Sequence, residues 1–122
     1  MTPAARATAI LAESGAVLRD RHIVYTSGRH GSAYVNKDAV YPHTERVRDL
    51  CALLADAGRP LGAEVVCGPA MGGIILAQWT GQHLGLPAVY AEKASEGGMT
   101  LRRGYDQLVR GRRVLVVEDV VN

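Results

Sequence analysis

Two adjacent acidic residues, Glu118 and Asp119, follow the last apolar run of this chain, Val114–Val117. Because burying a carboxylate is costly, we expect both side chains of this acidic pair to emerge at the end of a strand. There they could accept hydrogen bonds from vicinal hydroxyls, or hold Mg²⁺ directly or through water. The alternative is a strand end that simply reaches solvent.

A glycine turn, Gly68–Gly73 (GPAMGG), lies between a short apolar run and a stretch with helical spacing. Glycines let backbone N–H groups approach a ligand closely, and a helix N-terminus contributes about half a positive charge. This combination predicts a site for phosphate or pyrophosphate. The turn has the spacing of neither a Walker loop nor a dinucleotide fingerprint. The alternative is a tight strand-to-helix turn without a ligand.

The polar segment Ala91–Tyr105 (AEKASEGGMTLRRGY) is long and contains three glycines. Loops of this length in compact domains are usually functional lids or disordered. Its Lys93, Arg102 and Arg103 could neutralise the charge of a leaving pyrophosphate. The alternative is an exposed hairpin with solvated charges.

Each of these segments follows an apolar run that is typical of a buried strand. The runs are Ala63–Cys67, Pro87–Ala91 and Val114–Val117, and a helix from about Gly72 to Leu84 separates the first two. Continuous apolar strands separated by helices indicate an α/β fold with a parallel sheet buried on both faces. Ligands of such sheets bind at the carboxyl ends of the strands, where all three segments fall.

The upstream part has a different pattern. Pro3–Leu18 has apolar residues at helical spacing, with proline near its start. Ile23–Tyr25 and Ala33–Val35 are short β-type runs that suggest a small antiparallel piece. Thr44 could cap a second helix that ends near Ala57. We expect the buried stripe of that helix to contain Val47, Leu50, Leu54 and Ala57.

The composition indicates a soluble globular protein. The chain has 122 residues, of which 48% are hydrophobic and 21% charged, and its net charge is +2. Cys51 and Cys67 do not make a disulfide framework and are expected to be buried thiols in a reducing compartment. No apolar run approaches the roughly 20 residues that span a bilayer, and no signal peptide is recognisable. We therefore expect a cytoplasmic protein without a membrane partner.

Together the motifs resemble those of the orotate phosphoribosyltransferases. VLVVEDVVN (residues 114–122) resembles the beginning of the family's phosphoribosyl pyrophosphate signature, and GPAMGG resembles its pyrophosphate loop. TSGRHGSAYVNKD (residues 26–38) resembles the orotate-side motif. The polar segment resembles the mobile catalytic loop in one branch of the family. The resemblance covers nearly the whole chain.

The resemblance implies a parallel-sheet phosphoribosyltransferase core with a small N-terminal hood region on the base side. Residues 1–40 would form the N-terminal helix and hood, and residues 41–122 the first part of the core. The family signature continues past Val121 into a turn and helix that cradle the 5-phosphate, so the resemblance implies a core that is incomplete at the C-terminus. We expect a chain that ends at Asn122 to be inactive or only feebly active.

The resemblance also implies Mg²⁺-dependent transfer of phosphoribosyl from phosphoribosyl pyrophosphate to orotate, giving orotidine 5′-monophosphate and pyrophosphate. Glu118 and Asp119 would hold the ribose hydroxyls, and Met71–Gly73 would line the pyrophosphate. Lys93 and Arg103 would close over it from the neighbouring subunit of a homodimer, which makes these two residues and Asp119 the catalytic candidates. The candidates on the base side are Ser27, His30, Tyr34 and Lys37.

Two features depart from the family pattern. Thr26 stands where many members carry lysine before the Ser-Gly of the orotate-side motif. Many members also place a lysine and a histidine close together in the mobile loop, whereas the polar segment has Lys93 and no histidine. These departures leave open which side chain serves as the cation of the loop.

Three alternatives remain beside an orotate enzyme. A phosphoribosyltransferase acting on a purine base shares the core motifs, although the orotate-like motif argues against it. A non-enzymatic regulator of the same fold could sense phosphoribosyl pyrophosphate or bind RNA through Arg102–Arg113. Only Tyr105 is interleaved with those charges, so no nucleic-acid partner is expected. The third alternative is a structural remnant that folds only with a partner chain.

Overall fold

The computed structural model describes residues 2–18, 23–24, 30–31 and 34–120. The chain divides into two compact units, residues 1–50 and residues 51–122. The glycine turn, the polar segment and the acidic pair all belong to the second unit. The predicted division into a hood of residues 1–40 and a core of residues 41–122 assigns function to each part and stays a prediction.

The first helix, α1 (Pro3–Glu13), is shorter than predicted. Thr2 caps its N-terminus by accepting a hydrogen bond of 3.1 Å from the Ala5 N–H, and proline occupies the first turn. Gly15 has a φ of +71°, a left-handed conformation that favours glycine and ends helices. Val17–Leu18 therefore forms strand β1 instead of a last helical turn.

Short antiparallel strands follow in the first unit. Strand β1 pairs with β4 (Tyr34–Val35), and β2 (Ile23–Val24) pairs with β3 (His30–Gly31). The prediction of antiparallel structure is confirmed, but the two predicted runs pair with other partners and not with each other. Positions 25 and 33, which the predicted runs include, lie outside the described residues.

The second helix, α2 (Thr44–Gly58), agrees with the predicted extent. Its most buried positions are Val47, Cys51 and Ala55, each at most 1% exposed. These residues are four apart and so share one helix face, and the small cysteine and alanine allow close packing there. The predicted buried stripe was wrong in part, because the prediction assigned burial to large side chains rather than to the small residues on this face. The predicted positions that are half-buried or exposed are Leu50, Leu54 and Ala57.

The second unit contains a four-stranded sheet in the order β7–β6–β5–β8. Strand β5 is central and pairs in parallel with β6 and β8, which confirms the predicted α/β fold with a parallel sheet. Strand β7 pairs antiparallel with β6 and forms an edge of the sheet, within the segment for which a hairpin was one of the two expectations. The strands are β5 (Val65–Pro69), β6 (Ala88–Lys93), β7 (Met99–Thr100) and β8 (Val114–Val116).

Helix α3 (Gly72–Leu84) connects β5 to β6, and the short α4 (Tyr105–Val109) precedes β8. Val65 and Val66 of β5 are fully buried, and α3 contributes buried Leu76 and Ala77. Because the chain has no phenylalanine, this core consists of small aliphatic side chains, and helix and sheet approach closely. Within the described ranges, no helix combines the length and apolar character that crossing a membrane requires.

The two cysteines are free and buried, as the sequence predicted. Burial raises the pKa of the Cys51 thiol from 9.0 to about 11. A group whose pKa is raised on folding stabilises the fold below its unfolded pKa, and this contribution is lost as the pH rises through the folded pKa.

We therefore expect the free energy of unfolding to fall between pH 9.0 and about 11, in part through Cys51. Replacing Cys51→Ala removes this titration, so the variant should be less stable at neutral pH but should lose less stability over that interval. Urea unfolding across the pH range measures both slopes. A variant that loses stability as steeply as the unchanged chain would contradict the assignment.

Candidate functional site

The acidic pair and the glycine turn lie at the same rim of the sheet. Strands β5 and β8 are adjacent and parallel, with Cys67 opposite Val116. The Val117 N–H donates to the Cys67 carbonyl oxygen at 2.9 Å. The acidic pair therefore leaves β8 where β5 enters the glycine turn, and the predicted arrangement of the two motifs is confirmed.

The Asp119 carboxylate lies directly against Gly72, the first residue of α3. A Cβ atom added to Gly72 would lie 2.5 Å from Asp119 Cγ and 2.7 Å from Asp119 Oδ1. The carboxylate thus occupies the space that any side chain at position 72 would need. Because a helix N-terminus carries about half a positive charge, the negative charge of Asp119 is favourable in this position.

Two further glycines of the turn are required by packing. A Cβ atom on Gly73 would lie 2.8 Å from Pro69 Cδ and 3.0 Å from the Val117 carbonyl oxygen, and one on Gly68 would overlap the Gly73 carbonyl group. Neither glycine has a positive φ, so space rather than an unusual backbone conformation explains both. These glycines bring the start of α3 close to the ends of β5 and β8.

Met71 precedes α3 and is 83% exposed. Its side chain makes no capping hydrogen bond to the helix, and the Ala70–Met71 peptide bond is cis. The first N–H groups of any helix have no partner within the helix. A helix end of this kind favours negative charge, and the Asp119 carboxylate lies against it; the phosphate site expected of the glycine turn stays a prediction.

Glu118 is held by the backbone of its neighbour. The Asp119 N–H donates to Glu118 Oε1 at 2.9 Å, and both acidic side chains are half-buried. Two carboxylates therefore share a short stretch of the rim. In the part of the chain that the structure describes, no cluster of three or more histidine, cysteine, aspartate or glutamate side chains could hold a metal ion.

The first part of the polar segment is a hairpin, and its role as a lid stays a prediction. Strands β6 and β7 pair Lys93 with Met99, and Lys93 is exposed near the end of β6. The hairpin starts beside the glycine turn, since the Ala70 N–H donates to the Ala91 carbonyl oxygen at 2.7 Å. Lys93 therefore lies two residues after Ala91, whose carbonyl oxygen accepts this hydrogen bond from the glycine turn.

Arg103 lies beyond the hairpin and contacts two residues of β6. Its Nη2 atom is 3.4 Å from Glu92 Oε1, and its guanidinium carbon is 5.6 Å from the centroid of the Tyr90 ring. Tyr105 packs edge-on against Tyr90 with the ring centroids 5.4 Å apart. Sequence reasoning missed this cluster, although the two-residue periodicity of a strand places Tyr90 and Glu92 on one face of β6.

The basic stretch Arg102–Arg113 is partly neutralised by nearby acids. Arg110 Nη2 lies 3.6 Å from Asp106 Oδ2 on α4, in addition to the ion pair of Arg103 with Glu92. Nucleic-acid affinity depends on the positive charge that phosphates can meet. The two ion pairs therefore weaken the support that this stretch gives to RNA binding.

The candidates for the base side belong to the first compact unit. His30 lies in strand β3, and Tyr34 lies in strand β4. Lys37 begins a 3₁₀ turn, Lys37–Ala39, that the Asn36 side chain caps. Ser27 lies outside the described residues. The role of these four residues stays a prediction.

The chain is similar in sequence to orotate phosphoribosyltransferases. It is 40% identical over 115 residues to orotate phosphoribosyltransferase 2 of Mesorhizobium japonicum, and 43% identical over 113 residues to the orotate phosphoribosyltransferase of Pelotomaculum thermopropionicum. These alignments cover 92% and 93% of this chain, which spans 58% of the length of each relative. No protein-family model matches. The resemblance that the motifs indicated is confirmed over most of the chain.

Solved phosphoribosyltransferases share the fold. The Mycobacterium tuberculosis orotate phosphoribosyltransferase in complex with 5-phospho-α-D-ribosyl 1-diphosphate matches 97% of this chain and 65% of its own, with a TM-score of 0.62 and 20% identity. An adenine phosphoribosyl transferase from Trypanosoma brucei matches 92% of this chain and 55% of its own, with a TM-score of 0.62 and 16% identity. The chain therefore has the phosphoribosyltransferase fold, which does not by itself select a base.

Replacing two neighbouring glycines should separate packing from the contact with Asp119. Gly73→Ala sets a methyl group against Pro69 and the Val117 carbonyl, and should destabilise the fold by about 1–3 kcal/mol. The atoms nearest to the methyl group of Gly72→Ala belong to the end of the Asp119 side chain, which can rotate away at a cost of about 1 kcal/mol or less. Urea unfolding of the two variants measures the difference.

The Asp119→Ala background is the control. Without the carboxylate, Gly72→Ala should be neutral or slightly stabilising, since alanine is favoured over glycine in helices by up to about 1 kcal/mol. A Gly72→Ala penalty of the same size with and without the carboxylate would refute the contact.

Proposed function

We propose that this chain is part of an orotate phosphoribosyltransferase, and that the rim formed by the glycine turn and the acidic pair binds phosphoribosyl pyrophosphate. The proposal depends most on one observation, the Asp119 carboxylate against Gly72 at the N-terminus of α3. A group that accepts hydrogen bonds from hydroxyls thereby adjoins a group that binds anions, and a sugar pyrophosphate offers both partners. The names of the sequence relatives support orotate as the base.

In the proposed reaction, orotate nitrogen attacks the anomeric carbon of phosphoribosyl pyrophosphate. The new carbon–nitrogen bond forms as the bond from that carbon to the pyrophosphate oxygen breaks, and the electron pair leaves with pyrophosphate. The attacking nitrogen gives up its proton to water or to the leaving pyrophosphate, and the product is orotidine 5′-monophosphate. Positive charge develops on the sugar and negative charge on the leaving group, so positioning and charge stabilisation do most of the catalysis.

The rim would hold the sugar and its leaving group. Glu118 and Asp119 would accept hydrogen bonds from the vicinal ribose hydroxyls, for which adjacent carboxylates are well suited. Met71–Gly73 would line the pyrophosphate, with backbone N–H groups and the positive end of α3 directed at its charge. Met71, which directly precedes this helix, is 83% exposed, and this supports access for a ligand.

Mg²⁺ is the proposed cofactor. In phosphate-transferring sites this ion is usually held by one or two carboxylates together with water and substrate phosphates. The acidic pair fits that pattern, because it offers two carboxylates and needs no further protein ligand. The ion would neutralise part of the charge on the pyrophosphate when bound there.

Lys93 and Arg103 are the proposed cations of the polar segment. Both side chains are exposed and lie on or just beyond the hairpin that starts beside the glycine turn. They would neutralise the leaving pyrophosphate, and arginine would do so with two parallel hydrogen bonds. Following the resemblance, we propose that they act on the neighbouring subunit of a homodimer.

The base side is proposed to consist of Ser27, His30, Tyr34 and Lys37. The positive charge of Lys37 would face the carboxylate of orotate. The same fold occurs in an adenine enzyme, so the base must be tested directly.

A cytoplasmic location is supported by the two buried free thiols, which suit a reducing compartment.

Phosphoribosyl pyrophosphate with Mg²⁺ should stabilise the chain. A ligand present at about 100 times its dissociation constant adds about 2.7 kcal/mol, which raises the melting temperature measurably. Orotate should raise it further, whereas adenine and guanine should not. A further rise with a purine base in place of orotate would favour the purine enzyme, and no response to phosphoribosyl pyrophosphate would contradict the proposal.

Asp119→Asn tests the acidic pair itself. The exchange preserves the shape of the side chain but removes its charge, and should weaken phosphoribosyl pyrophosphate binding at least tenfold, or about 1.4 kcal/mol. Asp56→Asn, whose side chain on α2 is 73% exposed, is the matched control and should bind normally. Equal losses in both variants would count against the role of Asp119.

A further inference from the structure

We propose that Tyr90 and Glu92 hold the Arg103 guanidinium in a resting position, and so determine how readily this cation reaches a pyrophosphate. The inference rests on the proposed function and extends it to two residues that carry no role there. Tyr90 and Glu92 are positioning residues in this account, because they act through Arg103.

The resting position is defined by two different attractions. Glu92 Oε1 lies 3.4 Å from Arg103 Nη2, and the Glu92 side chain is 28% exposed against 56% for Arg103. The Tyr90 ring lies 5.6 Å from the guanidinium carbon, within the range of a cation–π contact. An arginine that is mostly exposed would otherwise sample many rotamers. Here one carboxylate and one ring face favour a single position.

The positions of Tyr90 and Glu92 are fixed by the core beneath them. Tyr105 packs against Tyr90 with an interplanar angle of 71°, and Tyr105 itself packs on the buried cluster of Val65, Cys67 and Val89. Glu92 lies in the paired part of β6, opposite Thr100. The partners of Arg103 are therefore anchored to the sheet, while the guanidinium is the movable member.

The backbone of Arg103 also restricts where its side chain starts. Its φ of +64° is left-handed, and Gly104 follows with a φ of +79°. Only Arg103 among the described non-glycine residues has a positive φ. This backbone conformation sets the direction in which the Cβ atom of Arg103 leaves the main chain. The side chain therefore starts from a defined position.

The contact with Glu92 competes with an anionic ligand. A guanidinium that moves to a pyrophosphate has to leave a negative charge and a ring face, so the apparent affinity is reduced by the fraction of molecules in the resting position. Exposed ion pairs are weak, so the reduction should be moderate, about two- to fivefold. The two contacts would therefore lower the affinity of the Arg103 guanidinium for pyrophosphate without preventing binding.

Isothermal titration with Mg²⁺–pyrophosphate tests the competition. Glu92→Gln should tighten binding about two- to fivefold, since the amide keeps the shape but not the charge. Glu96→Gln makes the same charge change at the exposed hairpin tip, where Glu96 pairs with Ser95, and should leave binding unchanged. In an Arg103→Ala background the effect of Glu92→Gln should disappear.

Arginine side-chain NMR provides a readout that a purely structural role of Glu92 would not move. The Arg103 side-chain protons should be shifted upfield by the Tyr90 ring, and the shift should be lost on adding Mg²⁺–pyrophosphate. Tyr90→Leu should abolish it without ligand. If this variant does not fold, Glu92→Gln alone should reduce the shift.

The outcomes separate this inference from the proposed function. Absence of pyrophosphate binding to the unchanged chain contradicts the proposed function and the competition with it. If the unsubstituted chain binds pyrophosphate and Glu92→Gln weakens that binding or leaves it unchanged, only the resting position is overturned. A tightening that persists without the Arg103 guanidinium also overturns it, because the effect then does not pass through Arg103.

Discussion

The candidate site depends on one close approach, that of the N-terminus of α3 to the carboxyl ends of β5 and β8. Gly68 and Gly73 permit it, because a methyl group at either position would meet neighbouring main-chain or proline atoms. Gly72 leaves the space that the Asp119 carboxylate fills. The opposite charges of helix end and carboxylate favour the same geometry. The proposed hydroxyl-binding and anion-binding groups are thereby fixed relative to each other, which would lower the entropic cost of binding a ligand.

The remaining groups of the second unit differ from this rigid rim. Lys93 and Arg103 are exposed and lie on or beyond a hairpin whose tip contains two left-handed glycines. A fixed rim suits the recognition of a sugar pyrophosphate, whereas exposed cations suit a charge that develops only as the leaving group departs. The Arg103 contacts with Tyr90 and Glu92 show that such a cation can be exposed and still have a preferred position.

The strands and the shared rim could be predicted because they depend on local pattern. Continuous apolar runs predicted β5, β6 and β8, and the cost of burying carboxylates placed the acidic pair at a strand end. The pairing of the short upstream strands could not be predicted, since two-residue strands carry too little pattern to select a partner. The stripe of α2 was displaced because small residues such as Cys51 and Ala55 can be more buried than leucines where elements approach closely. The Arg103 contacts depend on a left-handed backbone at a non-glycine residue, which sequence patterns do not indicate.

The most direct test of the shared rim is an amide NMR titration of the chain with Mg²⁺ and inorganic pyrophosphate. Gly72 and Gly73 report on the start of α3, and Asp119 reports on the segment that follows β8. If the rim is a single site, these three amide signals move together with one dissociation constant. Signals that move only in the arginine-rich stretch 110–113, with the rim unaffected, would contradict it.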